Sequence, residues 1–261
     1  QGNKIMGSYS QRKSNLYTPG SDIPFRISRS KIDLFLECPR CFYLNRRVGL
    51  ARPEGPGFSL NIAVDKLLKN EFDLLRQKGK AHELMKMYKI NAVPFSHQDL
   101  PIWRDDYHRL IGTSVLHKET SLEICGIIDD IWINPSRELS IVDYKATSTS
   151  KEISLEDEYK KGYKKQMEIY QWIFRKMGFP VNNTGYFVFA NAGKNRPDFD
   201  GRLEFVLSIL IYQGNNDWVE PTIFEIKECL ESSQIPEANE SCKYCGYIHA
   251  INKKVEEIIK K

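Results

Sequence analysis

The chain has 261 residues, of which 41% are hydrophobic, and its formal net charge is +4. At this size it can bury one substantial core, so we expect one domain with an appendage rather than two independent domains. The sequence has no apolar run of about 18 residues, which excludes a membrane-spanning helix and predicts a soluble, cytoplasmic protein without a membrane partner. The mild basic excess is compatible with nucleic acid without requiring it.

The first elements in the chain are a tail and a helix that carries two cysteines. Residues 1–27 are rich in Ser, Asn, Gly, Lys and Arg, and we interpret them as a flexible tail. Ser28 or Ser30 can cap a helix over about 31–47. Its middle carries Cys38 and Cys41.

A second helix follows a link rich in Pro and Gly at 53–57. We predict this helix over about 59–78 from the helical spacing of its apolar residues. Those positions are Ile62, Leu67, Leu68, Phe72 and Leu75. Strands are then predicted near 113–118, 122–133 and 139–146. The last two have apolar residues on both faces, which is typical of a sheet covered on both sides.

A turn cluster at 134–138 joins the last two of these strands into a hairpin centred near Ser136. Asp129 and Asp143 are equidistant from that centre, so we expect them to be cross-strand neighbours, where two like charges repel unless a cation or proton separates them. Lys145 lies two residues beyond Asp143 and therefore on the same face. Two carboxylates and an ammonium group converging on one point suit metal-assisted attack of water on a phosphodiester.

The second half of the chain predicts a long helix, two more strands and a further helix. The helix spans about 154–177, and Gln166 is a polar residue on its otherwise apolar stripe. That stripe contains Tyr159, Tyr163, Gln166, Tyr170, Phe174 and Met177. The later elements are strands at 184–190 and 202–212, a helix near 218–231, a coil with Cys242 and Cys245, and a charged helix or tail at 251–261. This order predicts a single α/β domain over 28–250 with a mixed sheet.

Four of the six cysteines form two C-x-x-C pairs at opposite ends of the chain, Cys38 with Cys41 and Cys242 with Cys245. In a cytosolic protein this arrangement favours a four-thiolate metal site over two disulfides, with free structural thiols as the alternative. Two pairs some two hundred residues apart would thereby tie the two ends of the chain together.

These motifs together resemble the PD-(D/E)XK nuclease superfamily. The resemblance rests on Gly126-x-x-Asp129, then Asp143-x-Lys145 on the next strand, then Gln166 and Tyr170 on the following helix. Within the superfamily the chain is most similar to the RecB-like branch, which includes nuclease domains of helicase-nucleases and the CRISPR adaptation nucleases. The resemblance implies a restriction-endonuclease-like core, with a mixed central sheet flanked by helices and a cysteine-clustered clamp joining the terminal segments.

The resemblance also implies roles for individual residues. Asp129, Asp143 and the Tyr144 carbonyl would ligate Mg²⁺ or Mn²⁺. Lys145 would orient or help deprotonate the attacking water and stabilise charge on the phosphate. Two further residues, Gln166 and Tyr170, would brace the site or contact the phosphate backbone.

The chain departs from the branch in two places. The branch commonly carries a metal-binding His in an early helix, where this chain has Asn61, and Asp65 one turn later is our candidate replacement ligand. The branch often divides its cysteines one and three between the chain ends, whereas the division here is two and two. Two metal centres therefore stay open. The family resemblance favours a [4Fe–4S] cluster, whereas the C-x-x-C-Gly sequence at Cys242 to Gly246, which looks like a zinc knuckle, favours structural Zn²⁺.

The sequence thus predicts a metal-dependent DNA nuclease, largely independent of base sequence, that acts on single strands or duplex ends. The resemblance adds a helicase, or a CRISPR or repair protein, as partner. One alternative is a nucleic-acid-binding module that keeps the fold without turnover, which the missing histidine favours. Another is a cysteine-clustered redox protein, which would not need the Asp129, Asp143 and Lys145 set.

Overall fold

The computed structural model describes residues 11–53, 55, 57, 59–157 and 160–260. They form two compact units: the described residues within 11–55, 118–122 and 221–260 are in the first, and those within 57–117 and 123–220 are in the second. The elements in chain order are β1 (Phe25–Ser28), α1 (Arg29–Glu37), α2 (Pro39–Tyr43), a π-helical turn (Leu44–Val48), α3 (Ser59–Lys78), α4 (Glu83–Met87), β2 (Val93–Pro94), α5 (Leu100–Trp103), β3 (Thr113–His117), β4 (Leu122–Gly126), β5 (Asp130–Ile133), β6 (Leu139–Thr147), α6 (Lys161–Lys176), β7 (Thr184–Ala192), β8 (Phe205–Gln213), α7 (Val219–Glu231) and α8 (Lys243–Ile259).

The predicted tail over 1–27 lies partly outside the described residues. Its described part is ordered within the first unit, because Tyr17 is buried and its hydroxyl contacts Glu231 of α7. Residues 11–27 are therefore part of the folded first unit.

The predicted link at 53–57 also lies partly outside the described residues.

The first predicted helix is interrupted at Cys38. This residue has an extended backbone, with φ −162° and ψ 104°, and ends α1. Pro39 explains the break, because the ring of a proline disfavours the helical conformation in the residue before it. The same proline then occupies the first turn of α2, where its missing N–H costs nothing. The cysteine pair therefore lies at a junction between two helices.

Helix α3 has the predicted bounds but turns a different face to the core. Val64, Leu68 and Phe72 are buried, whereas Ile62 and Leu67 are 69% and 66% exposed. The buried residues pack in the core of the second unit, where the Phe72 ring stacks on Trp132 at 5.5 Å between centroids. The apolar spacing identified the helix correctly, but only packing on the sheet selects which of its apolar residues are buried.

The second unit contains a five-stranded sheet in the order β2-β5-β6-β7-β8. Strand β6 runs antiparallel to β5 and parallel to β7, and β8 returns antiparallel to β7. The mixed α/β architecture predicted from the sequence is confirmed. Strands β5 and β6 form the predicted hairpin, with Asp130 opposite Val142. The same register puts Asp129, one residue before β5, opposite Asp143.

The predicted strand over 122–133 is two strands in separate sheets. Strand β4 lies beside β3, and the chain crosses through 127–129 before β5 joins the five-stranded sheet. Gly126 is required at the crossing, because a Cβ there would lie 2.4 Å from Cε1 of Tyr170. Asp129 therefore lies on the crossing segment at the entrance to β5.

Two further elements differ from their predicted bounds. Helix α6 begins at Lys161 rather than near Ser154, and it is buried from Gln166 to Phe174 instead of along one stripe. Tyr159 lies outside the described residues. Cys245 lies in helix α8 and not in a coil. None of the described helices combines the length and apolar character that crossing a bilayer requires.

Candidate functional site

The crossing segment and strand β6 bring two carboxylates and a lysine together in the second unit. Asp129 Oδ2 accepts a hydrogen bond of 2.8 Å from the backbone N–H of Tyr144. Asp143 and Lys145 flank Tyr144 on β6, and both of their side chains point to the face opposite its ring. The hairpin register therefore assembles these residues as the turn position predicts.

Asp143 is held on both of its carboxylate oxygens. Its Oδ1 accepts a hydrogen bond of 2.7 Å from Gln166 Nε2, and its Oδ2 forms an ion pair with Lys145 Nζ. The carboxylate is buried, with 1% of the residue exposed. Burial opposes the charged form of Lys145, but Asp143 and Asp129 outweigh it and raise the lysine pKa. The repulsion expected between the two carboxylates is therefore relieved by a cation from the same strand.

Helix α6 supplies both predicted bracing residues. Gln166 orients Asp143 through the bond just described. The hydroxyl of Tyr170 donates a hydrogen bond of 2.6 Å to the Ile127 carbonyl, and its ring packs where Gly126 has no side chain. Tyr170 is buried, so in this structure it braces the segment that carries Asp129.

Helix α3 contributes a buried lysine that sequence reasoning missed. Lys69 Nζ lies 2.9 Å from Asp65 Oδ2 and 3.7 Å from Asp129 Oδ1. Burial opposes the charge on Lys69, but the two carboxylates outweigh it and raise its pKa. Burial and the Asp129 charge raise the pKa of Asp65. Asn61, the position that matches the family's histidine, is exposed.

A signal for Lys69 existed in the sequence. Asp65 and Lys69 are four residues apart on a helix, with an acidic residue preceding a basic one, and they lie beside the buried Leu68. Such a pair is normally a solvated surface contact, so spacing alone does not distinguish it from a pair directed into a site.

Behind Asp129, a buried ionic network anchors Tyr144. Asp130 is fully buried and accepts hydrogen bonds from the Tyr144 hydroxyl at 2.8 Å and from Arg76. Burial raises the pKa of Asp130 against the opposing charge of Arg76. Asp73 forms an ion pair with Arg76 and accepts two hydrogen bonds, of 2.8 and 2.9 Å, from Arg104. The network holds the strand segment that carries Asp143 and Lys145 from its other face.

The donor chemistry of the site fits a hard divalent cation. Its ligand atoms are carboxylate and carbonyl oxygens, which Mg²⁺ and Mn²⁺ prefer. Asp65 Oδ1 is buried and has no hydrogen-bond partner among the described residues. Asp129, Asp143 and the Tyr144 carbonyl supply further oxygens, each with lone pairs beyond its present contact. These residues could therefore hold a metal ion, and Lys69 and Lys145 supply positive charge beside it.

The four predicted cysteines form a second candidate site, in the first unit. Cys38, Cys41, Cys242 and Cys245 place their Sγ atoms within 4.8 Å of one another. Neighbouring Sγ atoms are 3.5, 3.7 and 3.9 Å apart. All four thiols are free, since a disulfide requires about 2.05 Å between sulfurs. The predicted clustering of the two C-x-x-C pairs is confirmed.

Three of the thiols, those of Cys38, Cys41 and Cys245, do not ionise equally. Burial opposes ionisation of Cys38, but hydrogen bonds from the backbone at Cys41 and Asn239 lower its pKa to about 7. Burial, with Cys242 and Cys38, raises the pKa of Cys41 against the opposing charge of Arg52, and burial with the neighbouring sulfurs raises the pKa of Cys245. Arg52 Nη2 lies 3.3 Å from Cys242 Sγ and supplies a nearby positive charge. A full set of four thiolates therefore needs a bound cation.

The chain matches one family of known proteins. A family model of the PD-(D/E)XK nuclease superfamily matches residues 26–250, which covers both the carboxylate site and the cysteine cluster. No curated protein sequence matches the chain.

Proposed function

This chain belongs to the PD-(D/E)XK nuclease superfamily, and we propose that it is a metal-dependent nuclease that hydrolyses DNA phosphodiester bonds largely without regard to base sequence. The observation that carries the proposal is the convergence of Asp129, Asp143 and Lys145 at the open end of the β5–β6 hairpin, away from its turn. A fold retained only for binding has no need for Gln166 and Lys145 to hold a buried carboxylate between them.

The divalent cation would be held by Asp129, Asp143 and the Tyr144 carbonyl, with Asp65 Oδ1 as a further oxygen, and when bound it would polarise the phosphate and lower the pKa of water. Gln166 keeps Asp143 Oδ1 in position, so that this oxygen loses little freedom on ligation. The Tyr144 N–H does the same for Asp129 Oδ2.

Lys145 contributes charge at the point where the phosphate reacts. Its raised pKa keeps it an ammonium group at neutral pH, so it stabilises negative charge developing on phosphate oxygens and orients water by donating hydrogen bonds. Tyr170 acts through the backbone, because its bond to the Ile127 carbonyl restrains the segment that ends at Asp129.

We propose that the chain belongs to the RecB-like branch, and two features support this. The order of the motifs is one, since helix α3 with Asp65 precedes the Asp129 and Asp143 hairpin and helix α6 with Gln166 follows it. The cysteine pairs at the two ends of the chain are the other. Single strands or duplex ends as substrate, and a helicase, CRISPR or repair protein as partner, are proposed from that resemblance alone.

We propose that the cysteine set binds one zinc ion. A tetrahedral Zn site with bonds of about 2.3 Å separates its sulfurs by about 3.8 Å. The separations of 3.5, 3.7 and 3.9 Å agree with this. A [4Fe–4S] cluster bonds each thiolate to a different iron and so requires sulfurs farther apart than 4.8 Å. The spacing thus favours zinc, although the family resemblance points to iron and sulfur.

The test of the nuclease proposal is incubation of purified protein with end-labelled single- and double-stranded DNA, with Mg²⁺, Mn²⁺ or chelator. We expect shortening of DNA that requires the metal and is lost in Asp143→Asn. Asp198→Asn is the matched control, because the Asp198 side chain is 70% exposed. A gel shift without shortening would instead support the binding module, and cleavage by Asp143→Asn at the normal rate would contradict the assignment of the site.

A further inference from the structure

Lys69 is a buried cation placed between two carboxylates of the proposed active site. Lysine is almost never buried unless it is paired, and only 8% of this residue is exposed. Its ammonium group lies 2.9 Å from Asp65 Oδ2 and 3.7 Å from Asp129 Oδ1. Helix α3 therefore directs positive charge to the side of Asp129 that faces away from the β6 backbone.

This position is comparable to that of a second metal ion. In two-metal nucleases the ions lie about 3.5–4 Å apart and share a bridging carboxylate. Asp129 is the carboxylate shared here, since Oδ2 is held by the Tyr144 N–H and Oδ1 faces Lys69. Asp65, whose Oδ1 is the further oxygen proposed for the single ion, would offer its Oδ2 to such a second ion, and Lys69 already occupies that oxygen.

The formal charges also argue against a second metal ion at this site. Asp65, Asp129 and Asp143 carry three negative charges against two positive charges on Lys69 and Lys145. One divalent cation changes the net charge of this set from minus one to plus one. A second would raise it to plus three before any phosphate is bound, which is costly in a partly buried site.

We propose that Lys69 takes the place of a second divalent cation, so that the carboxylate site binds a single metal ion. This inference rests on the proposed function. It assigns to helix α3 a fixed charge that faces the substrate phosphate beside the metal. A purely structural Lys69, which only neutralises Asp65, would leave the number of bound ions unchanged on substitution.

The test counts Mn²⁺ ions by titration of the full chain, with free hexaaqua Mn²⁺ measured by electron paramagnetic resonance. Mn²⁺ prefers oxygen ligands, so the cysteine set does not interfere. Ions that still bind to an Asp129→Asn, Asp143→Asn double variant lie elsewhere and are subtracted. We expect one ion in the unaltered protein and two in Lys69→Met, in which Asp65 and Asp129 lose their cation.

Two controls separate charge from packing. Lys66→Met removes an exposed lysine of the same helix and should keep one ion. Adding Asp65→Asn to Lys69→Met should return the count from two to one. If Lys69→Met does not fold, Lys69→Arg, which retains the charge, should bind one ion.

Two ions in the unaltered protein or in Lys69→Arg, or one ion in folded Lys69→Met, would overturn the inference and leave the nuclease proposal standing. No ion in the unaltered protein would contradict the proposed function itself, and the inference with it.

Discussion

The carboxylate site and the cysteine cluster are both sets of potential metal ligands, but the protein assembles them differently. In the cluster, four sulfurs approach within 4.8 Å of one another, and Arg52 adds a nearby positive charge. Within the described residues, the carboxylates of the other site do not pack in this way. Lys69 lies against Asp65 and Asp129, and Lys145 lies against Asp143.

The difference follows from the protonation state of the ligands. Thiols are neutral at ordinary pH unless their pKa is lowered, so four of them can crowd together before a metal arrives. Carboxylates are ionised, and burying several together is costly unless cations accompany them. Charge balance in a set of four cysteine thiolates would therefore depend on a bound metal ion, whereas Lys69 and Lys145 already offset most of the negative charge of the carboxylate site.

The largest expected effect follows from loss of the zinc ion proposed at the cysteine cluster. Structural zinc contributes on the order of 10 kcal/mol of apparent binding free energy, most of it expressed as folding stability. We expect Cys242→Ser, or prolonged chelation, to lower the melting temperature sharply, as measured by circular dichroism. Cys229→Ser is the matched control, because Cys229 lies outside the cluster. Equal melting of both variants, or four irons per chain by elemental analysis, would contradict a zinc site.

The next effect tests the built-in charge of the carboxylate site. Lys145→Met removes the ammonium group beside Asp143, and we expect the rate of DNA cleavage to fall by about 10²–10³-fold with DNA affinity largely retained. Single-turnover cleavage and a gel-shift titration measure the two quantities. Lys151→Met, at an exposed position, should change neither. A Lys145→Met variant with normal turnover would show that its charge is not used in the reaction.

A smaller effect is expected from the network behind the site. Tyr144→Phe removes the hydroxyl that donates to Asp130 but keeps the ring in the core. Loss of a group that orients a metal ligand typically costs about 10–100-fold in metal affinity, and we expect weakening in this range for Mn²⁺. Tyr88→Phe, at the edge of the same core, is the control. Unchanged Mn²⁺ affinity in Tyr144→Phe would limit the network to a role in stability.

The smallest effect concerns acid stability of the first unit. Hydrogen bonds from Tyr17 and Lys227 lower the pKa of Glu231 from 4.5 to about 2. Because the folded-state pKa is the lower one, this carboxylate contributes stability above about pH 4.5 that is lost progressively as the pH falls towards 2. In Glu231→Gln, the free energy of unfolding, measured by urea titrations at several pH values, should depend less steeply on pH in this range. An unchanged slope would show that the contact is too exposed to matter.

Much of the carboxylate site could be predicted because its residues are local in sequence. Antiparallel pairing is set by the turn, so counting from Ser136 predicts that Asp129 faces Asp143, and the observed pairing of Asp130 with Val142 has that register. Because side chains alternate between the two faces of a strand, Lys145 lies on the same face as Asp143. The cysteine cluster was predictable for a different reason, since C-x-x-C spacing and thiol chemistry indicate a shared metal without any knowledge of the path between the pairs.

Only the tertiary structure decided which side chains complete each site. Helix α3 was predicted with correct bounds, yet its packing on β6, and not its apolar spacing, directs Lys69 and Arg76 inward to Asp129 and Asp130. These ion pairs join residues more than fifty positions apart, and their formation depends on burial that no local pattern specifies. The separation of the four sulfurs, which favours one zinc ion over a cluster, likewise depends on where helices α1, α2 and α8 end and begin. Local sequence therefore determined the candidate ligands of both sites, and long-range packing determined the charge balance of one site and the sulfur separations of the other.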